Sequence, residues 1–184
     1  PTLGLFRSVI CDNKGNILSM APPKSINFDI ISQSIPYKEC VLEEFIEGTM
    51  VNVFWNSTNN DWDIATRSNI GARCKFNQDC DFTFRYMFLD AMNAIGLEFA
   101  HLDKEVCYSF VLQHPQNRIV VPILKPDLYL VRRYKCAGNK VYEIVNGSRL
   151  SGDEPKYKMV QELEHIGETW DDLVNHLSSD NLDY

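Results

Sequence analysis

Residues 43–72 read EEFIEGTMVNVFWNSTNNDWDIATRSNIGA, and the reading of this stretch decides the fold. Met50, Asn52 and Phe54 alternate with Val51, Val53 and Trp55, a β-branched and aromatic run that predicts a strand. Asn56–Asp61 is too polar for anything but a loop. Trp62–Arg67 alternates again, so it is expected to pair antiparallel with the first strand and to carry Thr66, Arg67 and Ser68 at its end. Glu47 and Gly48 precede the first strand. Glycine there fits either a plain turn or a backbone that must approach something closely. A hairpin of this kind can line a cleft with one carboxylate, one glycine and one guanidinium.

Around it, 184 residues with 45% apolar and 23% charged content predict one globular domain, or one domain with a small appendage. No apolar run approaches the ~20 residues of a membrane span, so no membrane partner is expected. The opening PTLGLFRSVI lacks the basic and then apolar order of a signal peptide. The expected location is therefore intracellular and reducing, and the missing initiator Met hints at a processed or excised chain. Six cysteines are scattered without a CxxC pair and four histidines are equally dispersed. Zinc-ligand spacing is absent, so no metal site is expected and the thiols are expected to be reduced and mostly packed. A net charge of −7 argues against wrapping nucleic acid with the whole surface. Arg132, Arg133 and Lys135 still form a local basic cluster, readable as a phosphate-tracking groove or as solvated strand-edge charge.

Along the chain, Leu5–Cys11 and Ile17–Met20 alternate about the turn Asp12–Asn16 and predict a hairpin. Ala21–Phe28 must be irregular because of Pro22 and Pro23. Lys24 on this loop either points into a cleft or is simply solvated. Asp29–Cys40 reads as a spacer. Asp81–Ile95 is the clearest helix, with Phe84, Phe88, Ala91, Met92 and Ile95 on one stripe, Asp81 as its cap and Gly96 as its end. Strands follow at Val106–Leu112, Arg118–Val121, Leu128–Tyr134 and Lys140–Val145, the last two joined by Gly138-Asn139. Beyond a polar linker, Lys156–Ile166 shows weak helical spacing, and Thr169–Asp172 resembles a capping box opening a short helix. The expected class is α+β with mainly antiparallel sheets and a few helices. Residues 1–145 form the expected core, and 146–184 a linker and acidic helical tail.

Three groups of residues carry a resemblance: Arg7-Ser8-Val9-Ile10 with Pro22-Pro23-Lys24 and Asn27-Phe28; Glu44-Phe45-Ile46-Glu47-Gly48-Thr49 with Ala65-Thr66-Arg67-Ser68-Asn69-Ile70-Gly71; and Pro115-Gln116-Asn117-Arg118-Ile119-Val120. In this order they resemble the adenylyltransferase domain of phage-type RNA ligases, a branch of the covalent nucleotidyltransferases, from about Leu5 to Tyr134. The flavour is closest to ligase-like proteins of large DNA viruses. The resemblance implies a nucleotidyltransferase-like fold, and a lysine in a K-x-D-G element that attacks the α-phosphate of ATP. Mg²⁺ neutralises phosphate charge, and the nucleotide passes to a 5′-phosphorylated RNA end.

Residue by residue, the match is uneven. Gly48 falls on the glycine of that element and Glu47 on its acid, but Phe45 stands where the nucleophilic lysine belongs, and a phenyl ring has no lone pair to attack with. Arg67 and Ser68 match the next motif, and Asn117-Arg118-Ile119 an N-R-I signature. Val111 takes the place of a ribose-contacting glutamate. An acid-glycine pair followed by a lysine-bearing strand is not found before Tyr184. The resemblance thus implies nucleotide contacts at Glu47, Gly48, Arg67, Ser68 and Arg118, with ATP and Mg²⁺ as cofactors. Lys24 and Lys38 are the substitute nucleophiles, against the demand for near-attack placement. The expectation is a degenerate relative acting by binding RNA, through Arg132, Arg133 and Lys135, or a viral protein partner, in host cytoplasm or virus particle. The alternatives are an active ligase or capping-type enzyme with a displaced nucleophile, and a structural component of the particle.

Overall fold

A computed structural model describes residues 5–77, 80–117, 120–144 and 156–178. The chain is α+β with mostly antiparallel sheets and three α-helices among the described residues. It divides into two compact units, one of residues 1–24 and 46–159, the other of residues 25–45 and 160–184. The second unit is assembled from two segments distant in sequence.

In the first unit, β1 (Ile10–Cys11) and β2 (Ile17–Ser19) form a small hairpin. The expected strand from Leu5 is cut short because Ser8 takes a φ of 54° and turns its hydroxyl to the Arg67 carbonyl at 3.0 Å. β4 (Thr49–Asn56) and β5 (Asp61–Ala65) are the expected hairpin, paired antiparallel from Asn52↔Ala65 to Asn56↔Asp61. They join a larger sheet in the order β5-β4-β6-β7-β8, with β6 (Val106–Gln113), β7 (Asp127–Ala137) and β8 (Lys140–Glu143). β9 (Lys158–Met159) pairs parallel with β7.

Alternation gives this sheet two buried faces. Val51, Val53, Ile64, Tyr108, Phe110, Leu112, Leu128 and Leu130 project to one side, where α2 (Phe84–Ala94) covers them with Phe84, Met87, Phe88, Ala91 and Met92. Phe54, Ala65, Cys107 and Tyr134 project to the other side and pack with Met20 next to β2. A central strand covered on both faces needs an unbroken apolar run rather than strict alternation, and β6 is buried from Val106 to Leu112.

Helix α2 keeps the predicted stripe with Met87 added, but its cap is Thr83 and not Asp81. Thr83 has the extended backbone of an N-cap, and its hydroxyl accepts from the Tyr86 N–H. Thr83→Ala is expected to lower stability by about 1 kcal/mol, the usual loss of an N-cap, read as a fall in the urea midpoint.

The second unit contains α1 (Phe28–Ser34), a 3-10 turn at Tyr37–Glu39, β3 (Leu42–Glu43), β10 (Glu162–Leu163) and α3 (Trp170–Ser178). The stretch taken as a spacer is thus helical, and its signal is Asn27, whose side chain accepts from the Asp29 N–H. Lys156–Ile166 is not a helix. It supplies β9 and then β10, which pairs with β3 at Glu162↔Glu43 and Leu163↔Leu42. The capping box opening α3 forms as read: the Asp172 carboxylate accepts from Glu168 and Thr169 N–H, and Asp172 N–H returns to the Thr169 hydroxyl. Those bonds hold the Asp172 carboxyl below the usual carboxylate range. Tyr37 centres the unit, its hydroxyl donating to the Ile166 carbonyl and accepting from the Ile166 N–H, with Trp170 5.1 Å from its ring.

Candidate functional site

Glu47 and Gly48 stand at the mouth of β4, and the chain beyond β6 folds back over them. The Glu47 carboxylate accepts N–H bonds from Val120 at 2.7 Å and from Val121 at 3.0 and 3.1 Å. Its backbone carbonyl accepts from the Gln113 side-chain amide at 3.0 Å. These bonds explain why Val120 and Val121 do not continue the predicted Arg118–Val121 strand: both amides are spent on a carboxylate instead of a ladder. Arg118 and Ile119 lie outside the described residues.

The corner between β6 and this loop is fixed from below. His114, buried on the sheet side, accepts the Gln116 N–H at Nδ1, which places its proton on Nε2, 3.1 Å from Asp90 Oδ2 of α2. Asn117 donates from its side-chain amide to the Thr49 hydroxyl at 2.8 Å, and its N–H donates to the His114 carbonyl. Neither His114 nor Asp90 was singled out in the sequence; the only available signal was a histidine directly before the proline of the turn.

Gly48 does have something close to it, but that something is its own neighbour strand. At φ 149°, a Cβ built on it would stand 2.5 Å from the Leu112 carbonyl oxygen and 2.6 Å from Val111 Cγ1. Val111, at the place of the family's ribose-binding glutamate, is a buried side chain in that contact. Of the two readings of Gly48, close backbone approach is the one that holds.

Other predicted site residues are dispersed. Arg67 and Ser68 sit on an exposed bend after β5, where Thr66 N–H closes the turn onto the Asn69 carbonyl. Lys24 is exposed, its backbone N–H bonded to Leu5. Lys38 belongs to the second unit and is occupied with the Gly167 carbonyl at 3.0 Å and Glu168 at 3.1 Å. Phe45 is 97% exposed.

The basic cluster is likewise not one surface. Arg132 is held by Glu143 at 2.9 Å, and Lys135 by Glu105 at 2.5 Å. That carboxylate raises the Lys135 ammonium above its ordinary range. Arg133, next to Arg132 on a strand, points to the opposite face and is 4% exposed. A small polar cavity of about 240 Å³ between Asn59, Asp61, Asp63, Arg73 and Arg85 is built from residues the sequence reading passed over. Among the described residues no group of three or more His, Cys, Asp or Glu side chains is placed to hold a metal ion.

These residues do not fit ATP and Mg²⁺ as the resemblance would use them. Both oxygens of Glu47 receive backbone N–H groups, the glycine is filled from the β6 side, and the lysine's place holds a hydrocarbon ring. Glu47→Gln replaces one acceptor oxygen with an N–H₂ group facing donors. It is expected to destabilise the loop by about 1–2 kcal/mol, seen as faster hydrogen exchange at the Val120 and Val121 amides while the β6 amides stay protected.

Neither a protein-family model, nor a curated protein, nor a solved structure matches this chain.

Proposed function

We propose that this protein is a degenerate nucleotidyltransferase-like module that forms no lysyl-nucleotide and acts by binding a protein partner. The observation that carries the reading is the Glu47 clamp: the acid that would serve a nucleotide site fastens residues 120 and 121 instead. Phe45 in the nucleophile's place supports the loss of chemistry, since group transfer through nitrogen needs a lone pair at that point.

Two features favour a protein over nucleic acid as the partner. The clamped loop turns apolar side chains outward, with Val120 and Val121 exposed and Leu124 91% exposed. Meanwhile Arg132 and Lys135 already face carboxylates of the chain, which weakens them as phosphate contacts. Apolar side chains grouped on an exposed, anchored loop are the kind of surface that marks a protein contact.

Purified protein incubated with α-labelled ATP or GTP and Mg²⁺ is expected to remain unlabelled. An acid-labile, alkali-stable, lysine-linked label lost in Lys24→Ala or Lys38→Ala would overturn the reading in favour of a displaced nucleophile. RNA affinity that falls steeply between low and moderate salt would instead establish a phosphate-binding groove.

A further inference from the structure

On the face of the large sheet beneath β2, Cys107 of β6 and Cys136 of β7 stand with their sulfurs 3.8 Å apart. They are diagonal neighbours, since Cys107 pairs with Tyr134 and Cys136 lies two residues further on. Cys107 is 3% exposed, whereas Cys136 is partly open. Both line a cavity of about 160 Å³, together with Leu18, Trp55, Lys104 and Glu105. The cavity is large enough for a few water-sized molecules, and Lys104 Nζ sits over the Trp55 ring at its wall, 3.7 Å from the centroid.

The two thiols are not equivalent. A hydrogen bond from Cys136 lowers the Cys107 thiol below the ordinary cysteine range, helped by the Met20 backbone. The same contact raises the Cys136 thiol. Ser19 is fully buried, and its hydroxyl also helps to lower the Cys107 thiol. The cluster therefore sets a nucleophilic sulfur 3.8 Å from a second thiol, beside a small cavity.

We propose that Cys107 and Cys136 are a redox-active dithiol that a hydroperoxide converts to a reversible disulfide, pinning β6 to β7. The Cys107 thiolate attacks the terminal oxygen of the hydroperoxide. The O–O bond breaks, the alcohol or water leaves with one proton, and Cys107 becomes a sulfenic acid. Cys136 sulfur then attacks the Cys107 sulfur, the S–O bond breaks, and the hydroxyl departs as water with the Cys136 proton. Each sulfur gives up one electron, and the peroxide is reduced by two. Closing 3.8 Å to the ~2.05 Å of a disulfide across a diagonal pair draws two strands of a packed sheet together. A disulfide there is reversed by an external dithiol through thiol–disulfide exchange.

Trypsin separates the relevant cysteines, placing Cys107 in residues 105–118, Cys136 in residues 136–140 and Cys11 in residues 8–14. Full-length protein treated with hydrogen peroxide, alkylated and digested is expected to give the 105–118/136–140 pair as its dominant crosslink, lost after dithiothreitol. Tryptophan fluorescence, to which Trp55 at the cavity wall contributes, should fall as the bridge forms and recover on reduction. In Cys136→Ser the reaction should stop at a Cys107 sulfenic acid that dimedone captures; in Cys107→Ala, Cys136 should remain a thiol. Because the crosslink is read in the unaltered protein, a misfolded variant does not decide the matter. Peroxide treatment that leaves both thiols alkylatable, or that links other cysteines in preference, overturns the proposal.

Discussion

Phe110→Ala is expected to cost about 4 kcal/mol of stability and to shift the urea midpoint without changing the order of the strands. Phe110 is fully buried at the centre of β6. It stacks with Tyr108 at 6.0 Å and 11°, meets Phe88 of α2 at 6.0 Å, and takes the edge of Tyr157 at 5.3 Å. Truncation loses the transfer energy of the ring and opens a cavity, and its three aromatic neighbours cannot collapse into it without leaving their rotamers. The neighbouring Tyr108 makes the collapse harder still. Burial pushes its hydroxyl up to about 12, and that hydroxyl is tied to the Asp103 N–H at 2.9 Å. Equilibrium unfolding in urea is the check; a loss under about 1 kcal/mol, the scale of a surface change, would mean that the α2 face of the sheet is not packed as described.

Gly48→Ala is expected to cost about 3–5 kcal/mol, from a left-handed φ that alanine resists and a methyl forced against a strand. The Cβ would meet the Leu112 carbonyl oxygen at 2.5 Å, and that oxygen belongs to backbone paired with both β4 and β7, so it cannot swing aside as a flexible side chain would. Relief requires the first turn of β4 to separate from β6 at Thr49↔Leu112. The loop held by Glu47 would move with it. Circular dichroism under urea gives the stability. Hydrogen exchange at Leu112 and Val120 tells whether the damage starts at this contact. A neutral result would show that the β4 entrance is loose and that the glycine answers to something other than packing.

The hairpin at residues 43–72 was legible because its period and its turn composition agree, and β4 and β5 formed within a residue or two of the reading. The same holds for α2, whose stripe is long enough to outweigh the misplaced cap. Two-residue strands were not legible: β3, β9 and β10 contain too few side chains to show a period, and their pairing is decided by partners more than 100 positions away in one case and about 30 in another. Arg132 and Arg133 show the limit for sites. Adjacent basic residues on a strand look like a cluster in one dimension, yet the pleat sends them to opposite faces. Glu47 shows the converse. Its acidic character and its place before a glycine were visible, but a carboxylate looks the same in sequence whether it awaits a nucleotide or holds two backbone amides.

The second unit imposes an order of birth on the molecule. Tyr37 cannot close onto Ile166 until residues 46–159 of the first unit have been synthesised between them. At ribosomal rates, residues 25–45 therefore wait on the order of ten seconds for their other half, while β4 to β7 can already pair behind them. During that interval Phe28 and Tyr37 have no Trp170 to meet. The growing chain thus offers an apolar segment for as long as Ile166 and Trp170 remain unmade, a window in which a chaperone would find it and after which it disappears.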